Sequence, residues 1–142
     1  MKQVIVGQDE RVGPWVCERT GGTWIPGRGS TIGLEEDGEL IAGTLYEDYN
    51  GANVNVHLAG IGKKWLNREF LWFCFYYPFE QLKVKRLTGI VPSCNDDAMR
   101  FDLHIGFRHE TTLKDAHPKG DIHILVMRRE DCRWLERNHV RK

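Results

Sequence analysis

The sequence predicts an α+β fold around a mixed sheet, and three observations carry that prediction. Asn50-Gly51 separates two runs of strand-forming residues. An Asn-Gly pair is the strongest two-residue hairpin signal, because both positions tolerate positive φ. Trp65, Leu66, Phe70, Phe73 and Tyr77 then recur at helical spacing, with Leu71, Trp72, Phe75 and Phe79 widening the stripe. Finally, the order of elements reads β, loop, β-β-β, α, β, α, β-β, giving about six to seven mostly antiparallel strands with flanking helices.

Each element has its own warrant. Val4-Ile5-Val6 is a short first strand. Asp9 through Arg19 has room for a short helix, which Gly13-Pro14 is expected to break early. Gly21-Gly22 and Pro26-Gly27-Arg28-Gly29 read as loop. Thr31 to Glu35 is a strand, Glu36-Asp37-Gly38 a turn, Glu39 to Tyr49 a longer strand, and Ala52 to Ala59 its return. Trp65 to Leu82 reads as a largely buried helix, kinked or restarted at Pro78. Arg86 to Val91 is a strand. Asn95 caps a helix through Ala98, Met99, Phe101 and Ile105, closed by Gly106. Two more strands follow, near Arg108–Lys114 and Asp121–Arg128, joined by a turn at residues 115–120.

Composition narrows the function classes. The chain has 142 residues, the length of one domain, and residues 1–142 read as a single unit without repeats. Twenty Lys+Arg balance 20 Asp+Glu, which argues against a protein that coats nucleic acid by net charge. The basic tail Arg128, Arg129, Arg133, Arg137, Arg141 and Lys142 is interrupted by Asp131 and Glu136 and reads as a solvated end. No run of about 18 apolar residues suggests a membrane span, and the first ten residues turn acidic too soon for a signal peptide. Cys17, Cys74, Cys94 and Cys132 lack CxxC spacing. They read as reduced thiols rather than zinc ligands or disulfides, and the expected compartment is the cytoplasm.

A two-residue hairpin at Asn50-Gly51 sets a register: Tyr49 opposite Ala52, Tyr46 opposite Asn55, Thr44 opposite His57. In that register Thr44, Tyr46, Asp48, Asn53, Asn55 and His57 share one polar face, and Leu45, Val54, Val56 and Leu58 share the apolar one. The polar face is the candidate floor of a site. The return strand runs into Gly60-x-Gly62-Lys63-Lys64 and then the aromatic helix. Glycines that aim backbone N–H groups at one point, next to a helix start, form an anion cradle, to which Lys63, Lys64 and Arg68 add charge. A tight glycine turn with solvated lysines is the plainer alternative. The loop is not a P-loop, since Lys64 stands where Ser or Thr is needed. It is not a Rossmann loop either, since the preceding strand belongs to an antiparallel meander.

The strand–glycine loop–helix unit, with Asn95-x-x-Ala98 and Ile105-Gly106-Phe107-x-x-Glu110, resembles the GNAT superfamily of acetyl-CoA-dependent N-acetyltransferases. A fuller string resembles a subgroup found in phages and prophages and, more distantly, the ribosomal-protein N-terminal acetyltransferases. It comprises Trp65-Leu66-x-Arg68, Phe75-x-Tyr77-Pro78-Phe79-x-Gln81-Leu82, Arg86-Leu87-Thr88-Gly89, Gly120-Asp121 and Asp131-Cys132-Arg133-Trp134-Leu135. The resemblance covers about residues 31–135. It implies a sheet split between the fourth and fifth strands, with acetyl-CoA in the gap. The cosubstrate's arm would lie along the backbone of Val56 to Leu58. Its pyrophosphate would rest on Gly60, Gly62, Lys63 and Lys64 and the helix start at Trp65, with Arg68 nearby and Asn95 beside the arm. No Gln or Arg precedes the glycines as in the family's usual loop, and Asp102 stands where many members carry a tyrosine acid.

The implied reaction is direct attack of a primary amine, from a small molecule or a peptide, on the thioester. An amine must lose a proton to attack, so a general base helps. His57 is the first candidate base, with Tyr46 and Asn55 on its face to orient the acceptor or a water; a structural strand histidine is the alternative role. Only about 22 residues separate the first two strands, which shortens the helical region expected to line the acceptor side. That side is then open or completed by a second chain, as in a homodimer. A catalytically inactive module of the same fold, binding a protein partner, is the competing reading.

Overall fold

The computed structural model describes residues 1–136. Arg137, Arg141 and Lys142 of the basic tail lie outside the described residues. The strands are β1 (Lys2–Val6), β2 (Gly29–Glu36), β3 (Glu39–Glu47), β4 (Asn53–Gly60), β5 (Arg86–Pro92), β6 (Arg108–His117) and β7 (Gly120–Arg128). They form one sheet in the order β1-β2-β3-β4-β5-β7-β6. All neighbours are antiparallel except β4 and β5, which run parallel. The helices are α1 (Asp9–Thr20), α2 (Arg68–Tyr76) and α3 (Asp96–Ile105). This is the α+β architecture expected, with the split where it was expected.

Two of the helices begin or continue differently from the prediction. Helix α1 is not broken by Gly13-Pro14 and runs on to Thr20. Pro14 forfeits one helical hydrogen bond. Burial of Val12, Val16 and Cys17 against Ile5 and Leu45 outweighs that loss, and Asp9 ties the helix start to β2 by accepting from the Thr31 N–H and hydroxyl. Helix α2 starts at Arg68, not Trp65, because the Asn67 side chain caps it by accepting from Phe70 N at 2.8 Å. Trp65 lies in the preceding turn. After Tyr76 a single π-helical turn, Tyr77–Gln81, absorbs Pro78.

The β3–β4 register also corrects the sequence reading. Thr44 pairs with Leu58, Leu45 with His57, Tyr46 with Val56 and Glu47 with Asn55, one residue off the two-residue hairpin. Asp48 takes positive φ (53–59° being the range of such non-glycine turns at Asp37 and Asp48), and Asn50 accepts from the N–H groups of Ala52 and Asn53. The connection is therefore longer than two residues, and a one-residue slip swaps faces. His57 and Asn55 share their face with Leu45 and Glu47, on the α1 side. Thr44 and Tyr46 lie on the opposite face with Val56 and Leu58. Tyr46 does not share a face with His57.

The larger core packs α2, α3 and the α2-side of the sheet around Phe70, Leu71, Phe75, Phe79, Leu87, Ile105 and Leu125. The smaller core lies beneath α1. Strands β4 and β5 pair only from Asn53↔Arg86 to Val56↔Gly89. Beyond that rung β4 stays on β3 as far as Gly60, β5 stays on β7 as far as Pro92, and the two part.

Candidate active site

The parted strands open into a cleft of about 710 Å³. Leu58, Ala59 and Gly60 of β4, Gly62, Lys63, Trp65 and Leu66 of the following turn, and Asn95, Ala98 and Phe101 of α3 and its cap line it. Arg19, Lys63 and Arg100 bring three cations to its walls against one carboxylate, Asp97. The cleft is therefore apolar in its body and cationic at its rim. Gly60 is required by packing, since a Cβ there would meet the Trp65 side chain at 2.7 Å. Gly62 turns the chain at φ +55°, a conformation that side chains disfavour. Trp65 in turn packs its ring on Phe101 at 4.3 Å, which joins the turn to α3.

The sequence-predicted cosubstrate residues fall into two groups. Leu58, Gly60, Gly62, Lys63, Trp65 and Asn95 line the cleft. Val56, Lys64 and Arg68 do not. Val56 is the last β4 residue paired with β5. Lys64 turns away and pairs with Glu36 at 3.4 Å. Arg19 and Arg100 were not anticipated. Arg100 had a legible signal, because it stands with Asp97, Ala98, Phe101 and His104 at three-to-four-residue spacing after the Asn95 cap. Arg19 had none, since its place depends on a helix that the sequence reading cut short.

On the α1 side of the sheet a ladder of polar side chains crosses four strands. His57 Nε2 lies 3.2 Å from Glu47 Oε1. A carboxylate oxygen only accepts, so the ring proton belongs on Nε2 and Nδ1 keeps its lone pair. Burial lowers the His57 pKa from 6.5, and Glu47 opposes the shift in part. Asn55 donates to Asp48 and accepts from Asn53, Thr88 donates to Asn53 at 2.6 Å, and Arg86 reaches from Thr88 to a two-bond pairing with Glu110. The sequence reading did not single out Glu47, and its register put Thr44 rather than Leu45 opposite His57, so the partner of His57 was missed.

Tyr46 is fully buried among core residues and donates to the Cys74 carbonyl at 2.6 Å. Burial raises its pKa well above 10.0, so it holds its proton at any physiological pH. Asp102 is 5 % exposed and lies against Gly89, the β5 member of the last paired rung. Its Oδ1 has no hydrogen-bond partner, and burial pushes its pKa up to about 8. At neutral pH this side chain is mainly a neutral acid.

No protein-family model and no curated protein matches the chain by sequence. Solved structures do match by fold. A probable acetyltransferase superposes with a TM-score of 0.59 at 18% identity over 72% of this chain, which spans 63% of the length of that protein. The spermidine/spermine N-acetyltransferase SpeG from Vibrio cholerae gives 0.70 at 12% identity, over 96% of this chain and 99% of that one. A GNAT-family acetyltransferase from Bacillus anthracis gives 0.56 at 16% identity, over 82% and 72%. With its parallel β4–β5 pair parting over a cationic cleft, the chain has the fold of these acetyltransferases.

Proposed function

We propose that the protein is an acetyl-CoA-dependent N-acetyltransferase acting on a primary amine. The observation that carries this reading is the parting of β4 from β5 into a cleft walled by apolar side chains and rimmed by Arg19, Lys63 and Arg100. The freed backbone of residues 57–60 offers hydrogen bonds to an extended amide chain, and the cations with the Gly62 turn suit a pyrophosphate. When bound, acetyl-CoA supplies an activated acyl group as a thioester. Asn95 commits its Oδ1 to capping α3 at Ala98 N, leaving its amide nitrogen for the ligand.

The chain's own groups then have separable tasks. His57 is the base: Glu47 fixes its tautomer, and its lowered pKa keeps it neutral and able to accept a proton at pH 7. Asn55 lies two residues away on the same face and orients the acceptor or a relaying water. Tyr46 has no part in this chemistry, because its hydroxyl is committed to Cys74. The likeness in fold to the spermidine/spermine N-acetyltransferase named above supports a small amine as acceptor.

Calorimetry with acetyl-CoA tests the reading. Binding is expected at one site, weakened about tenfold or more by Gly62→Val and by Lys63→Glu, which cost the turn and a phosphate partner. Unchanged affinity in both variants would remove the cradle. CoA release across polyamines, aminoglycosides and peptide N-termini then identifies the acceptor.

A further inference from the structure

The sheet face that carries His57 is covered unevenly. Helix α1 packs on it over β2, β3 and β4. Past β4 the same face continues onto β5, β7 and β6. Thr88 stands on it, since its hydroxyl donates to Asn53 of β4. The pairings Thr88↔Val126, Ile90↔Ile124, Pro92↔Ile122 and Leu113↔Ile122 then carry the face across three strands. Ile90, Ile122, Ile124 and Val126 therefore form one apolar patch, with Leu113 at its border. The alternate residues Leu87, Leu125 and Met127 point the other way, into the larger core. The four patch residues are half-buried, Leu113 is 47 % exposed, and none of the five belongs to either core. Apolar side chains left in this state gain stability from any group that covers them.

Position, charge and size together select the covering group. The last β4–β5 rung is Val56↔Gly89, and one step further in that register sets His57 level with Ile90 across the parted strands. The patch thus begins opposite the proposed base. The carboxylates that border the face are already matched: Glu47 by His57, Asp48 by Arg28, Glu110 by Arg86 through two bonds, and Asp131 by Arg108. Arg86 and Arg128, register partners on β5 and β7, add positive charge to the same border. A second ammonium group would meet no spare carboxylate there and two guanidinium groups. Three strands about 4.8 Å apart, over three outward residues each, span on the order of 130 Å². A stable dimer needs about 800 Å² from each partner, so the patch is too small to hold a second copy by itself. It suits one aromatic side group, which covers about 150–250 Å² when fully buried.

We infer that the acceptor is a monoamine bearing an apolar group of aromatic-ring size, seated on Ile90, Ile122, Ile124 and Val126 with its amine at His57. This rests on the acetyltransferase reading and narrows its acceptor. It also separates this chain from an enzyme for polyamines, whose further charges find no counter-charge on this face.

Calorimetry with 2-phenylethylamine, ethanolamine and spermidine tests it, with and without saturating CoA, which has no acyl group to transfer. 2-Phenylethylamine should bind saturably and about tenfold or more tighter than the other two. Ile90→Thr and Ile124→Thr keep the β-branched shape and should each weaken it about fivefold or more, with CoA affinity unchanged. Val6→Asn, at an apolar residue 64 % exposed on β1, should change neither affinity. Should one threonine variant fail to fold, the other decides. Spermidine binding as tightly as 2-phenylethylamine, or 2-phenylethylamine affinity unchanged in the threonine variants, overturns the inference. So does a dimer, seen by sedimentation, that Ile124→Thr dissociates, since the patch would then belong to a second copy. Absence of saturable 2-phenylethylamine binding overturns it too, and CoA binding in that case leaves the acetyltransferase reading standing. If CoA does not bind while 2-phenylethylamine does, with the expected loss in the threonine variants, the acetyltransferase reading fails and the apolar amine site stands.

Discussion

Asp102 is buried and His57 half-buried, and desolvation pushes each toward its neutral form. For His57 that means a pKa below 6.5, so turnover should fall only as pH drops beneath that value. His57→Ala is expected to lower kcat about 10²-fold or more while leaving acetyl-CoA affinity intact, and to erase that acid limb from the pH–rate profile. A full rate with the limb retained would show that another group is the base. For Asp102 the sign is reversed. Its folded pKa, about 8, lies above the 3.8 of an unperturbed side chain, so the folded state holds a proton that the unfolded chain has released between those values. Stability from this group is whole below about pH 4 and is lost as pH rises toward 8. Asp102→Asn should flatten that dependence and raise Tm at pH 8 by about 5 °C or more. Thermal melts at pH 5 and pH 8 on both proteins measure it, and parallel curves would show that the carboxyl is not the cause.

Loops and caps carry the distinctions between elements. Lys63 and Lys64 are adjacent and look interchangeable as a basic pair. Lys63 lines the cleft, whereas Lys64 pairs with Glu36 of β2. Lys63→Glu should therefore weaken acetyl-CoA binding, while Lys64→Glu should change it little, and calorimetry on the two single variants separates them. The caps divide in the same way. Asn67→Ala and Asn95→Ala each remove an N-cap and should each cost about 1 kcal/mol of stability by denaturant unfolding. Only Asn95→Ala should also weaken the ligand, because only Asn95 lines the cleft. Both caps were in plain view as Asn residues, yet only Asn95 was used. The aromatic stripe running back to Trp65 masked Asn67, because periodicity does not distinguish a helical residue from a turn residue packed on the same core.

Over the whole molecule, the strands were legible because alternation and turn residues are local signals. The register between β3 and β4 was not, since Asp48 adopts positive φ without a glycine to announce it. That single residue decided which side chains meet: the sequence put Tyr46 beside His57, and the fold puts Glu47 there. Helix α1 was cut short for a different reason, because Pro14 reads as a breaker until the core beneath it is known. Most of the cleft survived these errors, since it is built from one contiguous segment, residues 58–66, and the helix that begins after Asn95. The parting of β4 and β5 has one more consequence. A sheet of this kind exposes unpaired backbone at its two outer strands, β1 and β6, and the parting adds an inner pair of edges at residues 57–60 and 90–92. Hydrogen–deuterium exchange should find fast amides in the middle of the sheet as well as at its rims. Acetyl-CoA should slow the inner ones and leave β1 and β6 alone, so that the ligand acts as a missing strand and the closed sheet exists only in the complex.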